Sequence, residues 1–159
     1  MAGNPTPQIL AFRKNHIAVG LAADRKTANF VDRIDIHCEV PLVDFRELSS
    51  NTGGGEKSET IRERVVQARR IQQERFRKAA GATNATMSPR KMKVHCQIDA
   101  ESSGYLEHAM EEMNFSARAH DRILKVARTL ADLAGAPNIR ASDLLEAIQY
   151  RSLDRKLFS

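Results

Sequence analysis

Apolar and polar positions divide the chain into three stretches. Residues 1–30 are mixed and weakly patterned. From Ile34 to Val40 the pattern changes: Ile34, Ile36, Cys38 and Val40 alternate with Asp35, His37 and Glu39. A period of two predicts a strand with one buried face. Pro41 ends it, because proline cannot donate to a ladder. A lone strand does not fold by itself, so its partners are sought in residues 1–30, in another chain, or in a longer protein. Ser49-Ser50-Asn51-Thr52-Gly53-Gly54-Gly55 follows as a flexible connector.

Beyond the connector the period becomes helical. A first helix is predicted over about Ile61 to Ala80, with Thr60-Ile61-Arg62-Glu63 as a capping box and Gly81 as its stop. Ile61, Val65, Ala68, Phe76 and Ala79 fall on one of its faces. Residues 82–97 read as a loop with a short helical turn. Asp99 suits the N-cap of a helix reaching Met113, with Leu106, Ala109, Met110 and Met113 apolar. Ser116 can cap the next helix, which runs to Ala134 and stops at Gly135. Ile123, Val126, Ala127, Leu130 and Ala134 form its apolar stripe. A last helix spans about Ser142 to Tyr150, with Leu144, Leu145 and Ile148 facing inward. The pattern predicts a mainly α fold: a small helical bundle preceded by a strand remnant and a poorly ordered amino-terminal segment.

Composition narrows this picture. With 159 residues and 42% hydrophobic, the chain can fill one core but not two large ones. Aromatics are 5% and tryptophan is absent, which argues against a base-stacking nucleic-acid module. No run approaches 18 apolar residues, so a membrane-spanning helix is not expected. Two cysteines do not make a disulfide scaffold and suit a reducing cytosol, so a cytoplasmic location is expected. The basic, acid-poor start, with Arg13, Lys14, Arg25 and Lys26 against Asp24, can mimic a transit peptide, but a frayed or borrowed amino terminus is the preferred reading.

The net charge of +5 favours an anionic partner. Residues 61–93 hold ten Lys and Arg against two acids, a larger excess than that of the whole chain. Arg69, Arg70, Arg75 and Arg77 on the first helix are therefore candidates for nucleic-acid phosphate contacts, the alternative being a solvated helical face. Gly53-Gly54-Gly55-Glu56-Lys57-Ser58 superficially resembles a phosphate loop. Glu56 stands where that loop needs glycine, and its carboxylate would repel phosphate, so the segment reads as a linker. His37-Cys38 and His95-Cys96 have the residue types of a zinc site. Neighbours on a strand point to opposite faces and no Cys-x-x-Cys hook occurs, so no metal site is assigned and Cys38 reads as core. No nucleophile constellation stands out, and Glu111 and Glu112 read as solvated.

One segment carries a sharper signal. Arg118, Arg122 and Lys125 stand at i, i+4 and i+7, a cationic ridge beside the apolar stripe. Arg118 sits in the first turn, where the helix dipole disfavours a cation. That placement makes sense if the side chain points at a phosphate held at the helix N-terminus. Ordinary surface arginines are the alternative.

Three stretches resemble the carboxyl-terminal part of the magnesium-chelatase-like AAA+ ATPases of the ComM type. They are Val31-Asp32-Arg33-Ile34-Asp35-Ile36-His37 with Glu39-Val40-Pro41, the Ser116-Ala117-Arg118 helix start, and Ala147-Ile148-Gln149-Tyr150-Arg151-Ser152-Leu153-Asp154-Arg155. The resemblance covers about Val31 to Phe158. It implies that residues 34–40 are the last strand of a nucleotide-binding core and that the helices form its small lid. It also implies that Arg118 is the sensor-2 arginine reaching the terminal phosphates of ATP, with Arg122 beside it. Arg33 then matches an arginine finger, which stabilises charge at a neighbouring subunit's phosphate during transfer.

Neither the Walker A nor the Walker B pattern of such ATPases is found in the chain, and residues 1–30 do not match what precedes Arg33 in the family. The expected organisation is a divergent leader at 1–30, a strand remnant and linker at 31–57, and a helical lid domain at 58–159. The chain then resembles a carboxyl-terminal fragment that does not hydrolyse ATP alone, lacking the phosphate cradle and metal ligands. ATP and Mg2+ belong to the full-length parent, with neither held tightly by the fragment. The implied partners are the rest of the AAA+ core, neighbouring subunits and DNA, with no membrane. The competing reading is a stand-alone basic helical module that binds nucleic acid.

Overall fold

Three of the described helices start where a polar side chain accepts one of their first free N–H groups, and burial then depends on which face meets a neighbour. A computed structural model describes residues 34–38, 55–77, 79 and 81–151. In chain order it holds α1 (Ser58–Arg75), a 3-10 turn (Asn84–Thr86), α2 (Pro89–His95), α3 (Ala100–Glu112), α4 (Ala117–Leu133) and α5 (Ala141–Gln149). This is the mainly helical bundle that the periodicity predicts. No described helix is long and apolar enough to cross a membrane.

Polar caps set most of the boundaries. Asp99 accepts the Ser102 amide at 2.8 Å at the start of α3, and Ser116 accepts the Ala119 amide at 3.2 Å at the start of α4. Ser88 caps α2, where Pro89 takes the first helical position and has no N–H to satisfy. Gly135 ends α4 with φ +66°. Its amide donates to Asp132 and the Ala136 amide reaches back to Ala131, which closes the last turn as a Schellman motif. Asn114 does the same for α3 at φ 50°, with the Phe115 amide on Met110.

Helix α4 lies at the centre. It packs against α1, α2, α5 and the 3-10 turn, and α5 in turn packs against α3. Ile123, Ala127 and Ala131 of α4 are wholly buried, with Leu144, Ala147 and Ile148 of α5, Leu106 of α3, Phe76, Met87, Met92 and Ile139 around them. The buried residues of α4 run from Ala119 to Asp132, so most of its length is covered by neighbours.

Several expectations need correction. The N-cap of α1 is Lys57, with no side-chain cap, rather than Thr60. The helix ends at Arg75 because Phe76 turns into the core. Ile61 and Val65 are exposed, since only the carboxyl-terminal half of α1, through Ala68 and Gln72, reaches the bundle. Residues 82–97 contain the 3-10 turn and α2 rather than a loop. Leu145 points outward, because the face of α5 that meets α4 and α3 is filled by Leu144, Ala147 and Ile148.

The described part of the expected strand, 34–38, forms no strand and pairs with none among the described residues. It lies against the bundle with the opposite face inward: Ile34, Ile36 and Cys38 are exposed, while Asp35 and His37 are half-buried. Polar ties decide this orientation. The His37 amide donates to the Tyr150 carbonyl at 2.8 Å, and Arg151 donates to the Ile34 carbonyl at 2.6 Å. Residues 1–33, including the leader and Arg33, lie outside the described residues, as do Glu39, Val40, most of the connector and 152–159.

Candidate functional site

The amino-terminal turns of α4 present the cationic ridge. Ser116 holds the first turn, Ala119 and Ile123 bury the inner face, and the i, i+4, i+7 spacing leaves Arg118, Arg122 and Lys125 on the outer side. Together with Asp35, Ala85 and Asp121 they line one concavity of about 310 Å³. Arg118 is exposed. Lys125 donates to the Ala85 carbonyl at 3.0 Å, which fixes its stem against the 3-10 turn. Arg122 pairs with Asp35. Asp121 faces His120, its carboxylate 3.1 Å from Nδ1.

The concavity therefore gathers three cations against two carboxylates at a helix N-terminus. Its donor set matches a multiply charged oxyanion: guanidinium forks can take two phosphate oxygens each, and the helix end favours negative charge. Among the described residues no group of three or more His, Cys, Asp and Glu side chains comes together as a metal cage.

A second polar cluster lies deeper and was not legible as such in the sequence. Arg75, at the end of α1, grips Asp132 of α4 with Nη1 at 2.7 Å and Nη2 at 2.5 Å. The Asp132 side chain is 0% exposed and that of Arg75 11%. Asn84 of the 3-10 turn donates to Asp132 at 2.7 Å and accepts from Arg75 at 2.9 Å. Arg128, 3% exposed, adds Nε to Asp132 at 3.1 Å and spends its other nitrogens on the Ala136 and Pro137 carbonyls. Burial alone would push the Asp132 carboxyl up; hydrogen bonds from Arg75 and Asn84 and the charges of Arg128 and Arg75 outweigh it and hold it below the usual range. The cluster ties α1, the 3-10 turn, α4 and the α4–α5 connection into one unit.

Arg75 thus leaves the nucleic-acid set: it is an internal ion-pair partner rather than a surface contact. Arg69 is half-buried and donates to Gln72 at 3.0 Å. Arg70 and Arg77 are exposed. Arg70 also lines a groove of about 450 Å³ along α1 with Arg62, Glu63, Val66 and Gln67.

The environment of His95-Cys96 works against reactivity. Burial pushes the Cys96 thiol up to about 11, against the opposing charges of Arg128 and Arg75, so it stays protonated at neutral pH. His95 packs edge-on to Phe76, and burial plus the charges of Arg75, Lys91 and Arg128 lowers its pKa, favouring the neutral ring. Cys38 is exposed rather than core.

Residues 55–151 match the family described as magnesium chelatase, subunit ChlI C-terminal. Over 134 residues the chain is 38% identical to the competence protein ComM of Haemophilus influenzae, a match covering 84% of this chain and 26% of the relative. It is 36% identical to a protein named YifB of Escherichia coli over the same shares of each chain. A mycobacterial protein, Rv2897c of Mycobacterium tuberculosis, is 27% identical over 95% of this chain and 30% of its own length. The chain spans about a quarter of the length of the curated relatives it matches.

Proposed function

Because this chain belongs to the magnesium chelatase subunit ChlI C-terminal family, we propose that its helices are the lid of a magnesium-chelatase-like AAA+ ATPase. In this reading Arg118 and Arg122 contact the terminal phosphates of bound ATP, with Lys125 adding a third cation. The observation that carries it is the convergence of these three side chains on one concavity at the N-terminus of α4. Cations so placed neutralise charge on the phosphates and sense whether the terminal phosphate is present. Mg2+ belongs to the parent's core, as does the phosphate cradle, so the chain alone hydrolyses no ATP. Arg33 remains the candidate finger for a neighbouring subunit, on family likeness alone.

The lid couples nucleotide state to subunit arrangement through its rigidity. The Arg75–Asp132–Arg128 cluster supports this, because it joins α4 to α1 and to the α4–α5 connection through buried ion pairs and hydrogen bonds. A chimera tests the contact: this chain replaces the matching segment of the Haemophilus relative, and nucleotide affinity is measured. Arg118→Ala is expected to weaken ATP about tenfold or more while AMP, which lacks the terminal phosphates, is little changed. An equal loss for both nucleotides would contradict a terminal-phosphate contact.

A DNA-acting parent is the companion proposal, and the exposed Arg70 on α1 and Arg77 just past its end favour it. Each phosphate contact contributes about 0.9 to the logarithmic salt slope of duplex binding. Arg70→Ala and Arg77→Ala are expected to flatten that slope, whereas a salt-independent signal would remove the proposal.

A further inference from the structure

Among the contacts that hold the segment at 34–38 to the bundle are three that bear on the concavity. The Arg151 guanidinium, on a residue 1% exposed, donates to the Ile34 carbonyl at 2.6 Å. The His37 amide donates to the Tyr150 carbonyl at 2.8 Å. Both ties use the backbone of the segment and the end of α5. The third is a side-chain pair, Asp35 with Arg122, at 47% and 27% side-chain exposure. It lies in the cationic concavity, beside Arg118 and Lys125. The residues of the two backbone anchors do not line that concavity, whereas Asp35 does and stands in the path of any anion that enters it.

Asp35 and an incoming phosphate want the same guanidinium. A carboxylate offers Arg122 one negative charge. A triphosphate offers several, and can engage Arg118 and Lys125 at the same time. Partial exposure makes the Asp35–Arg122 pair a weak tie that such a ligand can displace. We propose that Asp35 is an internal competitor for the phosphate site. A triphosphate takes Arg122 from Asp35 and loosens the 34–38 segment between its two backbone anchors, while the Arg151 anchor keeps the segment attached. Nucleotide arrival at α4 is thereby converted into a change in the chain that leads into the lid. The proposal rests on the phosphate-contact reading of α4 given above.

The test is a nuclear magnetic resonance titration of this chain with tripolyphosphate, ATP, orthophosphate and a short DNA duplex. Asp35→Asn should tighten tripolyphosphate and ATP about threefold, the scale of one exposed ion pair. Asp121→Asn removes the same charge from the same concavity, but its carboxylate faces His120, so its effect should be smaller. In the unchanged chain, tripolyphosphate should speed hydrogen exchange of the His37 amide, and Asp35→Asn should do so without ligand.

Equal gains for Asp35→Asn and Asp121→Asn, with His37 exchange unmoved, would overturn the competition while leaving the phosphate site standing. Binding that survives both Arg118→Ala and Arg122→Ala would overturn the site and the competition with it. A gain seen for DNA and not for triphosphate would overturn the assignment of the anion.

Discussion

Asp132 is the residue on which most of the interior depends. A carboxylate with no exposure, held by two guanidiniums and an amide, is stable only as a complete set. Removing it leaves Arg75 and Arg128 facing each other's charge. Asp132→Ala is expected to destabilise the chain by about 3–5 kcal/mol in urea unfolding at pH 7, the usual loss on breaking a buried pair. A loss below about 1 kcal/mol would mean that the cluster is solvated. The pH dependence has a definite sign. The folded carboxyl lies below its ordinary value, so its stabilisation is complete above the unfolded value of about 3.9 and is lost as pH falls below it. Unfolding stability should therefore drop on acidification below about pH 4, and less steeply in Asp132→Asn.

The same residues show where sequence reading stops. Arg128 and Asp132 stand at i, i+4, which is also the spacing of an ordinary surface pair. Only the alanines on either side, Ala127 and Ala131, hint that this face turns inward. Arg75 has the same character in the sequence as Arg69, Arg70 and Arg77; which of the four meets α4 is decided by how α1 crosses it. Arg118, Arg122 and Lys125 were legible because a single helix face places them together, without help from the tertiary fold. Asp35 was not, since its partner lies 87 positions away.

At the scale of elements, capping chemistry was the most readable feature. Asp99, Ser116 and Gly135 each do what their type and position predict. Burial was less readable where an element is only partly covered. The stripe on α1 is continuous in sequence, yet Val65 is 45% exposed while Leu144 on α5 is 0%. Leu144→Ala should therefore cost about 2–5 kcal/mol in thermal or urea unfolding. Val65→Ala should stay within about 0.5 kcal/mol in the isolated chain. A comparable loss at both sites would show that α1 is packed along its whole length. The 34–38 segment misled for a related reason: alternation specifies two faces but not which one meets a partner. Here the backbone ties to Tyr150 and Arg151 turn the polar face inward.

At the scale of the whole molecule, the described helices form one bundle with a cationic end on α4 and a basic, partly uncovered helix α1. The family and the relatives place such a unit in proteins about four times its matched length. The reading that joins these facts is a lid whose α4 ridge meets phosphate supplied by the rest of the parent. Arg70 serves as the internal control, since it is a cation of the same chain on α1 rather than in that concavity.

Steady-state ATP hydrolysis by the chimera in the absence of DNA, compared between Arg118→Ala and Arg70→Ala, tests this most directly. The account predicts that the first variant lowers turnover by about tenfold or more and that the second leaves it within about twofold. Full turnover in Arg118→Ala, or equal losses in the two variants, would contradict it.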